Sequence, residues 1–273
     1  SIKRIGSIFE LPILLAGFLI LCIPLTWSTF LLASKPWQKK LALTSLLVSL
    51  IIFLLTFSFL CTVSFFLTSL LLLPVLTKNY IKKPTLKFSY LTLTLIVIAF
   101  VVIVFNLRQH NLSISARWEY LKTAKLLIEH SPWFGWGLNT FNTVNRQFVN
   151  YDLGFSSYVH NSYLQFWVET GILGFIASIW LVLCFVKTSL HSIVKERSPE
   201  QRIVLLALIW SLTAYFLDNL TNITMIRPVS LLFGWVVLAG FCIIIRPEEH
   251  AVKTHSISPK NQWLHFSVAA YIV

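Results

Sequence analysis

Long apolar runs fill both halves of the chain, and one polar stretch, 107–162, separates the halves. The runs lie near 11–33, 41–57, 59–77, 89–106, 170–188, 203–218 and 229–245. Most approach the roughly 20 helical residues that cross about 30 Å of hydrocarbon. The pattern predicts an all-α, polytopic transmembrane helix bundle of about seven spans over 1–246, with a tail at 247–273. The apolar stretch from Leu41 to Leu76 is too long for one helix. Thr56-Phe57-Ser58 is its only polar place to turn, so a hairpin is expected there.

Inside the polar stretch the period changes. Trp118, Leu121, Ala124, Leu127 and Ile128 recur at three- and four-residue intervals, which predicts an amphipathic helix over 115–130 lying along the membrane surface. Ser115 is the expected N-cap, and Ser131-Pro132 the stop, because a residue before proline is pushed out of helical geometry. Arg117 then falls in the first turn, where a cation opposes the helix dipole and favours an anionic partner.

Charge orients the spans. Lys35, Lys39 and Lys40 fall in one loop, Lys78, Lys82, Lys83 and Lys87 in another, and Lys195, Arg197 and Arg202 in a third. Short basic loops stay cytoplasmic, which places 107–162, the amino end and 218–228 outside and the tail inside. The net charge of +12 is then topology signal and attraction to anionic lipid rather than nucleic-acid binding. Only 12% of residues are charged, against about a quarter in soluble domains. Cys22, Cys61, Cys184 and Cys242 all fall in expected helices without paired spacing, which argues against a disulfide or zinc framework. With no initiator Met and no cleavable leader pattern, the chain reads as a mature or truncated piece.

Candidate chemistry gathers in the polar stretch. Gly135 and Gly137 permit backbone shapes that aim amide N–H groups at a ligand oxygen, although Trp133, Trp136 and Phe141 beside them equally suit an interfacial anchor. His160, at the mouth of the next span, is placed to accept a proton from a hydroxyl, or to snorkel as an interfacial polar residue. Glu169 enters Gly171-x-x-Gly174, a spacing suited to close helix packing. A carboxylate at the membrane boundary needs a partner, for which Arg117 and Arg146 are candidates. Arg227, next to Pro228, has Asp218 nearby for a structural or functional pair.

Taken in order, Arg117-Trp118, Pro132-x-x-Gly135-x-Gly137-x-x-x-Phe141, His160-Asn161-Ser162-Tyr163-Leu164 and Glu169-Thr170-Gly171-Ile172-Leu173-Gly174 resemble the O-antigen ligase and O-antigen polymerase superfamily of bacterial inner-membrane glycosyltransferases. That superfamily also holds protein O-oligosaccharyltransferases. The resemblance implies transfer of a glycan from undecaprenyl pyrophosphate to a hydroxyl on lipid A-core, another glycan or a protein, without metal or nucleotide cofactor. It implies that His160 activates the acceptor hydroxyl and Arg117 neutralises the leaving pyrophosphate. Arg146, Gly135, Gly137, Asn161, Glu169 and Arg227 are the associated substrate-binding candidates. Two departures stand out. Family members usually carry an arginine after a Thr-x-Ser, where this chain has Phe59, so Arg108, Arg146 and Arg227 are candidate replacements. The family also has about twelve crossings, so the chain resembles the carboxy-terminal portion of a longer enzyme or a reduced member. A non-catalytic membrane partner of the same fold in polysaccharide export is the competing expectation, and a secondary transporter is disfavoured by spans almost free of charge.

Overall fold

The computed structural model describes residues 11–79, 111–148, 158–195 and 197–246, all of whose regular structure is helical. The elements are α1 (Pro12–Leu32), α2 (Pro36–Leu55), α3 (Phe59–Asn79), α4 (Asn111–His130), α5 (Phe141–Phe148), α6 (Ser162–Val194), α7 (Pro199–Asp218) and α8 (Pro228–Ile244). The expected span at 89–106, Arg108 and the tail lie outside the described residues. Proline opens α1, α2, α7 and α8, where its missing N–H has no helical partner to lose. Ser198 caps α7 through the Gln201 amide, and Asn161 caps α6 through the Leu164 amide at 3.0 Å.

Four helices, α1, α2, α6 and α7, are long and apolar enough to cross a membrane, while α8 and the apolar part of α3 are shorter. The expected hairpin forms: α2 stops at Leu55, α3 starts at Phe59, and Phe57 turns the chain at φ 48°. Its polar residues Thr56 and Ser58 are buried, not solvated.

Helix α7 is apolar all round and buried all round, as such a helix must be. It packs against α1, α3, α6 and α8. Trp210 stacks on Phe65 and meets Trp27 edge-on, and the Ser211 hydroxyl donates to the Leu21 carbonyl at 2.7 Å, tying α7 to α1. The outer faces of α2, α6 and α8 expose Leu47, Ile51, Leu173, Trp180, Leu183 and Trp235. Apolar surface of that extent suits lipid rather than water.

Helices α4 and α5 form a separate small core on one end of α6. Ala124, Leu127, Phe141, Val144, Val159 and Val168 fill it, with Leu121 and Ile128 packed around them. The stripe of α4 expected to face the membrane therefore faces protein, and only Trp118 of that set is well exposed. Two further expectations are corrected. Helix α4 already runs from Asn111, so Ser115 lies inside it and Arg117 is beyond the first turn. The stop at Ser131-Pro132 holds.

Candidate active site

The Pro132-x-x-Gly135-x-Gly137 loop docks into a break in α6. At Gly171 the backbone leaves helical geometry, with φ 73° and ψ −169°. The Ile172 amide, which would have bonded Val168 in an unbroken helix, donates instead to the Pro132 carbonyl at 3.0 Å. The freed carbonyls of Val168 and Glu169 accept from the Trp136 and Gly137 amides, each at 2.9 Å. A broken helix is thus repaired by a neighbouring loop, as buried backbone groups require. Gly135 and Gly137 adopt φ of 68° and 102° to make this possible. Their amides bond protein, Gly135 to Ser131 and Gly137 to Glu169, so they are not aimed at a ligand. Gly171 marks the break instead of a close helix crossing.

This docking sets the position of the segment before α6. The Gln165 side chain bridges two groups: its Oε1 accepts from the Val159 amide at 2.9 Å, and its Nε2 donates to Glu169 Oε1 at 2.6 Å. The partner of the buried Glu169 carboxylate is therefore Gln165, not Arg117 or Arg146. The next residue, His160, has φ 59°, a left-handed conformation uncommon outside glycine and often found at functional sites. Its ring stacks on Tyr120 of α4, with centroids 5.7 Å apart. Its Nδ1 is buried with no hydrogen-bond partner among the described residues.

Beneath His160 lies a buried polar cluster at the ends of three helices. Asp218, Asn219, Asn222, Thr224 and Ser162 are all fully buried. Asn222 donates to Asp218 Oδ1 at 2.5 Å and Thr224 to Oδ2 at 3.2 Å. The Ser162 hydroxyl donates to Asn219 Oδ1 at 2.6 Å, and Asn222 also reaches Cys61, which meets the Ser58 hydroxyl. The Thr56-Phe57-Ser58 turn therefore stands at this end of the bundle.

Arg117 points the charge of α4 into this region. Burial lowers its pKa, and the neighbouring Cys61 and Asp218 oppose that shift. Asp218 is held by Asn222 and Thr224; Arg227, expected beside it, instead donates to the Tyr158 hydroxyl at 2.5 Å and lies over that ring. Asn161 serves as the α6 cap, and Arg146 is exposed on α5. Tyr120, Tyr158, Gln165, Asn219 and Asn222 were not singled out from the sequence. The polar run 218–224 between two apolar spans and the Gln165/Glu169 pair one helical turn apart were the available signals.

The pKa of His160 is pushed down to about 4, chiefly by burial and further by the Arg117 charge. The imidazole is therefore neutral at neutral pH, with a lone pair available. Because the folded pKa lies below the unfolded value, the unfolded state binds more protons between about pH 4 and about 6.5. The stability contributed by this residue is complete above about pH 6.5 and is lost as pH falls toward 4. Thermal melts across that window should show lower stability in acid, with the dependence reduced in His160→Asn; identical slopes in both proteins would contradict it.

A family model described as O-antigen ligase matches residues 13–179, more than half of the chain, including Arg117 and His160. An uncharacterized protein of Haemophilus influenzae is 34% identical over 79 residues, covering 27% of this chain and 20% of that protein. The matching part thus spans about a fifth of that curated relative's length. No solved structure matches the chain. With the family model covering the broken helix, its docked loop and the Arg117 and His160 positions, the chain belongs to the O-antigen ligase family.

Proposed function

We propose that the chain transfers a glycan from undecaprenyl pyrophosphate to a hydroxyl acceptor in the assembly of cell-surface polysaccharide. The single observation that carries this reading is the setting of His160: its ring stacks on Tyr120, one turn along α4 from Arg117, and its Nδ1 is buried and unpartnered among the described residues. A cation for a leaving pyrophosphate and a neutral base for a hydroxyl are the two groups the reaction needs. The acceptor is a sugar of lipid A-core, a second glycan or a protein side chain, and neither metal nor nucleotide takes part.

In this reaction His160 takes the proton of the acceptor hydroxyl while its oxygen attacks the anomeric carbon. The bond from that carbon to the phosphate oxygen breaks, and its electron pair leaves with undecaprenyl pyrophosphate beside Arg117. Donor binding also sharpens the base. A pyrophosphate next to Arg117 offsets the charge that depresses His160, so the imidazole becomes more basic when donor is present. With Phe59 where the family places another arginine, Arg117 bears most of the leaving-group charge, and Arg227 and Arg146 contribute at longer range. Asn161 and Glu169 act by holding the α6 entry on which His160 stands.

In the membrane the reading places about seven spans in the bacterial inner membrane, with the 107–162 stretch on the external face. The basic residues clustered at 34–40, 77–88 and 188–202 support that orientation. The test is transfer in proteoliposomes from an undecaprenyl-pyrophosphate glycan to candidate acceptors. Arg117→Lys should reduce transfer at least about tenfold, because a point charge replaces a paired donor fork. Unchanged transfer by this variant would remove the bidentate contact from the mechanism. No transfer by folded wild-type protein would favour the non-catalytic partner in polysaccharide export.

A further inference from the structure

The loop that repairs the α6 break carries a surface unrelated to that repair. Trp133, Phe134 and Leu138 are 69%, 85% and 73% exposed, although the backbone between them is stitched to Val168 and Glu169. Further contacts add to this rigidity: Trp136 Nε1 donates to the Leu127 carbonyl at 2.8 Å, and Ser131 to the Gly135 carbonyl at 2.7 Å. The loop thus holds three large apolar side chains outward on a fixed frame, which a chain in water would not favour.

The level of the loop on α6 identifies what meets it. Residues 170–186 carry no charge, and Lys187 is exposed. At 1.5 Å per residue that stretch covers about 25 Å, short of the roughly 30 Å of hydrocarbon. With Lys187 snorkelling at the far side, the near boundary of the hydrocarbon falls at or above Gly171. The loop docks at that level, because a Cβ on Gly171 would strike the Trp133 carbonyl and one on Gly135 would strike the Glu169 backbone. From there an exposed apolar stripe of Leu173, Ile176, Trp180 and Leu183 runs along α6. The exposed face of α4 differs: Lys122 pairs with Glu119 and Lys125 with Glu129, a face for water.

We propose that Trp133, Phe134 and Leu138 insert into the acyl–headgroup boundary of the bilayer, so that the partner of this loop is lipid. Tryptophan suits that boundary, where its apolar ring is buried and its indole N–H stays wet, and Phe134 and Leu138 add purely apolar surface on the acyl side. The anchor fixes the height of the α6 break and, through Gln165 and Val159, the height of His160 above the hydrocarbon. A lipid-linked donor and the base that serves it are thereby held at one depth.

The test reads membrane depth independently of transfer. Phe134→Cys, Leu138→Cys and Lys125→Cys are each made in a background with alanine at positions 22, 184 and 242, labelled with an environment-sensitive fluorophore and placed in liposomes. Positions 134 and 138 should emit further to the blue than 125, be quenched by shallow spin-labelled lipids, and resist aqueous iodide several-fold better. Emission and iodide quenching at 134 and 138 equal to those at 125 would overturn the anchor and leave a water-exposed loop, as a sugar-stacking surface would be. A label-free check compares wild type with Trp133→Phe in bromolipid vesicles: loss of a shallow-quenched component supports insertion, and no change in lipid quenching contradicts it.

Discussion

His160→Ala should lower glycan transfer by about 10²–10⁴-fold, the range in which a positioned base contributes, while leaving membrane insertion and the helical fold intact. The ring stacks on Tyr120, and the segment is held by the Val159 amide on Gln165 rather than by a hydrogen bond from the imidazole Nδ1. Its removal therefore takes away the lone pair and leaves the frame. Alanine at φ 59° is itself strained, so His160→Asn is the companion variant, because asparagine tolerates the left-handed region but is no base. Both should melt near wild type at neutral pH and both should fail in transfer. Wild-type rates in either protein would take histidine out of the mechanism. A second readout separates a base from a merely structural residue. The acid limb of kcat/KM reports the free enzyme and should lie near pH 4, and that of kcat should lie higher, because bound pyrophosphate offsets the Arg117 charge.

The hairpin and the apolar helices α1, α2, α6 and α7 were legible because each rests on a local signal. Proline at the first turn of α1, α2, α7 and α8, and Thr56-Phe57-Ser58 within one apolar run, fix helix limits without knowledge of partners. The α4 stripe was legible as a stripe but not in its direction, since periodicity says that a face is apolar and not whether lipid or protein covers it. Phe141, Val144 and Val168, far apart in sequence, cover it here. Pairings made by several elements at once were hidden for the same reason. Asp218 and Arg227 are close in sequence, yet Tyr158 takes the arginine, and Asn222 and Thr224 hold the carboxylate. Arg117 and His160 were singled out through an ordered family pattern; the stacking of Tyr120, one turn from Arg117, on His160 depends on the α4–α6 contact, which no local property of either segment encodes.

Gly171→Ala should be among the most damaging small substitutions at the described residues. Its φ 73° with ψ −169° belongs to a region essentially reserved for glycine, at a penalty of about 1–3 kcal/mol for other residues. The added methyl would also meet the Trp133 carbonyl and the Phe134 amide, backbone atoms that cannot swing aside. Relief requires α6 to run straight, with Ile172 bonding Val168 again. That change releases Pro132, Trp136 and Gly137 together, so three loop hydrogen bonds worth about 1 kcal/mol each are lost and only partly replaced within the straightened helix. With the loop undocked, the Gln165 bridge loses its fixed platform and His160 its depth, so transfer should fall with stability. Gly240→Ala, in α8, is the control: the nearest atom to its methyl is Leu208 Cδ2 at 3.5 Å, an ordinary van der Waals contact. Thermal melting and limited proteolysis decide the matter. Gly171→Ala should melt well below Gly240→Ala and be cut within 131–140, whereas equal melting with an uncut loop would mean that the break in α6 does not depend on glycine.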